Sequence, residues 1–435
     1  MSRFNNFSEI TSSAIAEAGQ KYGTPIYLYD KKFIIDRCKL LMAMPNAFGL
    51  TVRFPMKANS TKAVLRTIHE QGLEIDASSV NEALRAHMAG IAYEKIMLTS
   101  QEVPLGDERH ALEEMILQGL KYNVCSMRQL ELIGDFVAAN SIPLSIRVHP
   151  GVGSGESASR NTGDNYSCFG VHLSDIDAAI EYANQKGLRF FEVHVHIGSG
   201  GDPVLWQENI DRELAIIEKY FPDADTVSFG GGLKEARMPN EIAADVEELG
   251  EYAKKQIEAF HSRTGRKLKM EVEPGTYTTA NSGYIVTQIL DIKSTGTEGM
   301  HFLVVDGGME LNSRPLLYGS QHPFYLVSKE GKLLSSEFVD ASGGSEFSAA
   351  VVGRCCESGD SQCLDADGKS FSRTMAKPEI GDFVVIGGAG AYCSSMSPFN
   401  YNSHVQAAEV MLTEEGNLVE IRRKQTLDQI MANEL

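Results

Sequence analysis

Between residues 50 and 273 short apolar runs alternate with amphipathic stretches, and this alternation constrains the fold more than any other feature. The runs are LTVRFPM (50–56), LEIDA (73–77), KIMLTS (95–100), YNVCS (122–126), LSIRVH (144–149), FFEVHVH (190–196), DTVSFG (225–230) and LKMEVE (268–273). The stretches between them, such as TKAVLRTIHEQG and SVNEALRAHMAG, carry apolar residues at i, i+3 and i+4 and end on a glycine, a common helix stop. Strand–helix alternation implies a parallel sheet. Eight units fit a (β/α)8 TIM-type barrel better than an open sheet. After EPGTY the pattern changes to GYIVTQILDIKS, MHFLVVDGG, PFYLVS, EFSAAVVG, GDFVVIGGAGAY and AAEVMLTEEGNLVEIRR, strands with turn punctuation. The expected organisation is a barrel over residues 31–280 and a C-terminal β-sandwich or β-barrel domain over 281–435. The strand-like TPIYLYD (24–30) is expected to pair with that β domain, so residues 1–30 are assigned to it.

The formal net charge of −18 argues against nucleic acid or an anionic membrane as partner, since both require clustered basic residues. No apolar run approaches the roughly 20 residues that span a bilayer. The N-terminus MSRFNNFSEITSS has no apolar core of a secretory signal. Seven cysteines, an odd and dilute set, suit reduced thiols in the cytoplasm. Cys355, Cys356 and Cys363 are not completed by a CxxC or a histidine pair, so no metal site is expected.

Barrel enzymes place their chemistry at strand C-termini. Here the first strand ends on Lys57 and the second on Asp76. The sixth ends in HVHIGSGG with His196 and Ser199, the seventh in Gly230, Gly231 and Gly232, and the eighth in Glu273. Each has a bland reading: a surface lysine, a structural histidine, a tight turn, a loop start. Together they share one rim. A lysine offers Schiff-base chemistry, glycines let backbone N–H groups approach an anion, and a carboxylate can keep a pyridinium nitrogen protonated. These are the needs of pyridoxal 5′-phosphate.

The ordered series PMKAN, EIDASSVNEA, HPGVGSG, HVHIGSG, FGGGL, EPGTY, SRPLLYGSQH, CCESGD and GAYCSSMSPFNYN resembles the PLP-dependent decarboxylases of the alanine-racemase-like fold, most closely the diaminopimelate decarboxylases. It covers nearly the whole chain. The resemblance implies Lys57 as the cofactor lysine, His196 stacked on the ring, Ser199 and Gly230–Gly232 near the phosphate, Glu273 facing the pyridine nitrogen, and Gly275 with Thr276 as a second phosphate turn. It implies Cys356 as the acid that reprotonates Cα. Glu357, Arg314 and Tyr318 become substrate contacts, and Tyr392 a contact of cofactor and substrate. Asp76 and Glu82 are expected to support His196 or the cofactor. The family's cysteine segment reaches the neighbouring subunit, which implies a homodimer with shared active sites acting on a small amino acid.

Two positions depart from the family pattern. Thr276 stands where the family usually carries an arginine that contacts substrate carboxylate, and His149 where it often has asparagine. A neutral side chain cannot replace a bidentate clamp; Arg314 and Arg354 are the candidate substitutes. The implied reaction is decarboxylation of meso-2,6-diaminopimelate to lysine. The alternatives are a decarboxylase of another amino acid or carboxylated amine, an amino-acid racemase, and a PLP-binding protein without catalysis.

Overall fold

The computed structural model describes residues 10–153, 161–198, 203–338, 346–365 and 367–435. The chain forms two compact units. One comprises Asp36–Lys234 and Ala243–Thr278; the other comprises the described residues through Ile35, Glu235–Ile242 and Thr279–Leu435.

Strands are numbered in chain order. β1 (Ile26–Asp30) belongs to the second unit. The first contains β2 (Leu50–Pro55), β3 (Glu74–Ala77), β4 (Ile96–Thr99), β5 (Lys121–Val124), β6 (Leu144–His149), the short β7 (Val171–His172), β8 (Phe190–His194), β9 (Thr226–Ser228) and β10 (Lys269–Val272). Apart from β7, which pairs in parallel with the end of β6, these are the eight expected runs. They pair in parallel in the order β5-β4-β3-β2-β10-β9-β8-β6, and pairing of β5 with β6 closes the barrel. Helices follow the strands, as right-handed crossovers between parallel strands require. Helix Val80–Met88 is capped by Ser79, whose Oγ accepts from the Glu82 N–H at 3.0 Å.

The alternation within each strand explains the near-continuous apolar look of the sequence. Val52, Phe54, Ile75, Leu98, Val124, Ile146, Val193, Val227 and Met270 are buried on one strand face, where the helices pack. The opposite face, inside the barrel, is polar. Arg53 is fully buried there and makes two hydrogen bonds to Glu271, at 2.6 and 2.9 Å, and an ion pair with Glu74 at 2.7 Å. Burial opposes ionisation of Glu74, but Arg53, Lys121 and Lys95 outweigh it and hold its carboxyl below the ordinary value. Ser145 donates to Glu192 at 2.8 Å.

Glu192 carries a consequence for stability. Burial, and then the charge of Glu271 beside it, push its carboxyl well above the ordinary value despite Arg53. The folded chain therefore keeps a proton that the unfolded chain releases above a pH of about 4.3. Stability from this group is full below that pH and falls as pH rises toward the folded value, by up to about 1.4 kcal/mol per pH unit. Glu192→Gln imitates the protonated side chain. Urea melts between about pH 5 and pH 8 should show the wild type losing stability relative to the variant as pH rises. A constant difference between the two proteins would show that Glu192 ionises normally in the fold.

The second unit holds a ten-stranded sheet. β11 (Gly283–Ser294) starts it, followed by β12 (His301–Val305), β13 (Phe324–Val327), β14 (Leu333–Ser336), β15 (Glu346–Val352), β16 (Arg373–Ala376), β17 (Phe383–Ile386), β18 (Ala408–Leu412) and β19 (Leu418–Arg422). β1 lies inside this sheet, antiparallel to β11 and parallel to β18, with Ile26 opposite both Val286 and Ala408. Every residue of β1 is buried, and Ile26 and Leu28 join Val286, Val385 and Val410 in one core. TPIYLYD thus pairs with the late β strands, as expected. In RPLLYGSQHP two prolines and a glycine predict a loop, but the segment is not wholly one. Arg314–Tyr318 is a short helix, with Pro315 in its first turn, where no N–H is needed, and Gly319 closing it at φ 62°.

Candidate active site

The barrel's strand ends gather the expected groups, and the local chemistry explains their placement. Lys57 sits on a turn just beyond β2. The Met56 N–H donates to the Asp76 carbonyl at 3.0 Å and the Ala58 N–H to the Pro55 carbonyl at 3.0 Å, so the turn is anchored on both sides of the lysine. Its neighbours Met56 and Ala58 are buried while Lys57 is exposed.

Two buried carboxyls stand near Lys57 with opposite tendencies. Burial favours the proton on Asp76, and Glu273 adds to this; Lys57 and a hydrogen bond from Thr99 oppose it, and its carboxyl stays well above the ordinary value. Glu273 is also buried, which disfavours charge, but His194, then His196 and Lys57, outweigh burial and pull it down to about 2. His194 Nε2 lies 3.2 Å from Oε2 and 3.1 Å from Oε1 of Glu273. Neighbouring carboxyls driven apart in this way divide into an acid and an anion. Glu82 accepts from the Ser78 N–H at 2.7 Å, and burial, partly offset by that bond and by Lys57, raises its carboxyl. It thus braces the end of β3.

His196 is half-buried, and its Nδ1 accepts from the Gly231 N–H at 3.2 Å. Burial, then Arg147 and Lys57, push its imidazole well below the ordinary value. A neutral ring with its proton on Nε2 follows. Of the three glycines expected at a phosphate, Gly231 therefore spends its N–H on His196. Gly230 and Gly232 adopt φ 62° and 101°, and a Cβ on Gly230 would approach the Val195 carbonyl to 2.8 Å. This turn is open only to glycine. Buried Gly275 opens the helix Gly275–Thr279, and Thr276 is half-buried. Ser199 lies outside the described residues. His149, the other departure, is structural: its Nε2 faces the Ser167 carbonyl at 3.0 Å and its Nδ1 accepts from the Gly151 N–H at 3.2 Å.

The remaining expected residues belong to the second unit. Cys356 is exposed and its N–H donates to Asn402 at 2.7 Å, whereas the adjacent Cys355 is buried against Glu310. A free cysteine is often a buried apolar filler; Cys355 is placed that way and Cys356 is not. Glu357 is exposed and accepts from the Tyr401 hydroxyl at 3.1 Å. Tyr392 adopts φ 59°, a left-handed conformation that a tyrosine rarely takes. Arg314 is buried, with Nε donating to His322 Nε2 and Nη2 to Ser320, both at 3.3 Å, and its guanidinium is 5.8 Å from the Tyr318 ring centre. Arg354, the other candidate carboxylate clamp, pairs with Glu310 at 3.3 Å.

Sequence reasoning missed His194, Tyr401 and Asn402. The signal for His194 was present: in HVH the period of two puts both histidines on one face of the strand. Tyr401 and Asn402 carried none, because their partners lie 44 and 46 residues away.

The rim offers an exposed amine, an ionised carboxylate held by a histidine, a neutral imidazole and a glycine turn. This donor set fits a pyridoxal phosphate group. The pyridoxal-dependent decarboxylase family matches through its pyridoxal-binding domain over residues 34–280. The chain is similar to diaminopimelate decarboxylase of Escherichia coli K12, at 30% identity, covering 100% of this chain and 99% of the relative. Its fold is similar to a crystal structure of diaminopimelate decarboxylase with a TM-score of 0.87 and 29% identity, covering 100% of this chain and 99% of that one. It is also similar to diaminopimelate decarboxylase from Helicobacter pylori complexed with L-lysine, with a TM-score of 0.78 and 25% identity over 96% and 98% of the two chains. Site chemistry, fold and full-length similarity agree, and the chain belongs to the pyridoxal-dependent decarboxylases, carboxy-lyases that work with pyridoxal phosphate.

Proposed function

We propose that the chain converts meso-2,6-diaminopimelate to L-lysine and carbon dioxide. The observation that carries this reading is an exposed Lys57 at the same rim as a buried Glu273 whose carboxylate lies 3.1 Å from His194 Nε2, in a chain similar to diaminopimelate decarboxylases from end to end. The cofactor supplies an electron-poor ring that takes up the electron pair freed when the Cα–carboxylate bond breaks. Lys57 would hold the cofactor covalently. Glu273 would keep the ring nitrogen protonated, and neutral His196 would pack on the ring. Ser199, Gly230, Gly231, Gly232, Gly275 and Thr276 would serve the phosphate, with Gly231 acting through His196. Asp76, carrying its proton, lets Glu273 hold the negative charge alone. Arg314, Tyr318, Glu357 and Tyr392 meet the substrate, and Cys356 returns a proton to Cα. The exposure of Cys356 and Glu357 supports a homodimer in which this segment completes the partner's site. We assign the enzyme to the cytoplasm; among the described residues no helix is long and apolar enough to cross a membrane.

The test offers the pyridoxal phosphate-loaded protein meso-diaminopimelate, lysine, ornithine and arginine separately, with carbon dioxide and products read by mass spectrometry. Lysine and carbon dioxide from diaminopimelate alone are expected. Carbon dioxide only from another amino acid would move the substrate assignment. Thr276 gives that outcome a physical basis, because Arg354 is engaged by Glu310 and Arg314 by His322 and Ser320. An enantiomer formed without carbon dioxide would mean a racemase.

A further inference from the structure

His194 and Ser228 face each other in register on β8 and β9, one layer below the rim. Both are buried. His194 Nε2 is engaged by Glu273. An ionised carboxylate only accepts hydrogen bonds, so the proton between them sits on Nε2. The other ring nitrogen, Nδ1, is buried and has no partner among the described residues, and neither has the Ser228 Oγ. These two atoms are complementary. A serine hydroxyl both donates and accepts, so it satisfies Nδ1 in either protonation state of the ring. Buried polar atoms left in this way are commonly bridged by an ordered water.

We propose that His194 is a positioning residue for the decarboxylation: its Nε2–H holds the Glu273 carboxylate ionised and aimed at the ring nitrogen of the cofactor, and Ser228, through one bridging water, fixes the orientation of the His194 ring. The proposal rests on the assignment of Glu273 to that nitrogen. A histidine that acts through another group in this way resembles the outer partners that orient metal-ligating side chains. Its position excludes direct contact as the mode of action, since the ring is 1% exposed.

The test uses the full-length holoenzyme and the variants His194→Phe, His194→Gln, Ser228→Ala and Glu273→Gln. It reads the absorption spectrum of the bound cofactor, pyridoxal phosphate affinity by titration, melting temperature, and kcat against KM. His194→Phe should displace the cofactor's absorption band in the same direction as Glu273→Gln. It should lower kcat roughly tenfold to a hundredfold with little change in KM, the scale on which loss of an orienting partner acts. His194→Gln, whose amide can still donate to Glu273, should recover most of both. Ser228→Ala should show the same spectral change in smaller measure. A His194→Phe spectrum and kcat like the wild type, with Glu273→Gln altered, would overturn the proposal. So would a His194→Gln protein of unchanged melting temperature that is as impaired as His194→Phe. An unchanged Ser228→Ala spectrum would overturn the part assigned to Ser228. A Glu273→Gln protein with wild-type spectrum would instead overturn the assignment of Glu273 on which the proposal rests. The spectra need no substrate, so failure of the diaminopimelate assignment is recognised separately.

Discussion

Replacing Lys57 by alanine should give a folded protein that loses pyridoxal phosphate on gel filtration and whose decarboxylase activity falls by at least roughly a thousandfold, about 4 kcal/mol of transition-state stabilisation. The size follows from losing covalent retention of the cofactor, the role proposed for Lys57, because the electron-poor ring that the reaction needs is lost with it. Stability should change little, because Lys57 is exposed and the turn that carries it is held by backbone hydrogen bonds of Met56 and Ala58. The independent readout is borohydride reduction of the wild-type holoenzyme followed by peptide mass mapping, with the phosphopyridoxyl group expected on the peptide that contains Lys57. Modification of another lysine, or an alanine variant that still retains the cofactor and turns over substrate, would remove Lys57 from the mechanism. A melting temperature well below the wild type would show instead that the lysine is structural.

The second large effect concerns the fold. Arg53→Met should destabilise the barrel by about 3–5 kcal/mol, the usual cost of leaving buried charges without their partner. Glu271 would lose two hydrogen bonds and Glu74 its closest cation, all inside the barrel. The melting temperature should fall by roughly 10 °C for a unit of this size. Methionine fills most of the volume, so cavity formation contributes little. Adding Glu271→Gln should recover part of the loss, since the most costly unpaired charge is then gone. The measurement is thermal and urea unfolding of the single and double variants, which together with Glu271→Gln alone form a double-mutant cycle. Additive effects would show that Arg53 and Glu271 do not act as a pair.

The two variants probe features of very different visibility in the sequence. The places of Lys57, His196, the glycines of FGGGL and Glu273 at the barrel's strand ends were legible because strand ends are marked locally. Apolar runs stop there and glycines follow. The polar interior was far less legible. Arg53 and Glu271 are 218 residues apart, and in the sequence each only interrupts an apolar run. Nothing local says that they meet. The same holds for Tyr401 on Glu357, and for the contrast between buried Cys355 and exposed Cys356, which are adjacent and chemically identical. The helix at Arg314–Tyr318 was misread because two prolines and a glycine suggested a loop, although a proline in a first turn and a glycine at a C-terminus are both compatible with a helix.

By itself the sequence determined the element order, the eight strands of the barrel, the late β strands and the rim at which Lys57, Asp76, His196 and Glu273 gather. Each of these depends on periodicity and turn residues, which act over a few positions. Only the tertiary structure decided which ring nitrogen of His196 accepts from Gly231, and which buried carboxyl beside Lys57 keeps its proton. Protonation inside a protein depends on burial and on the nearest charge. Closure of the barrel brings His194 of β8 against Glu273 at the end of β10, and that contact, 79 residues apart in the chain, makes Glu273 the anion and leaves Asp76 the acid.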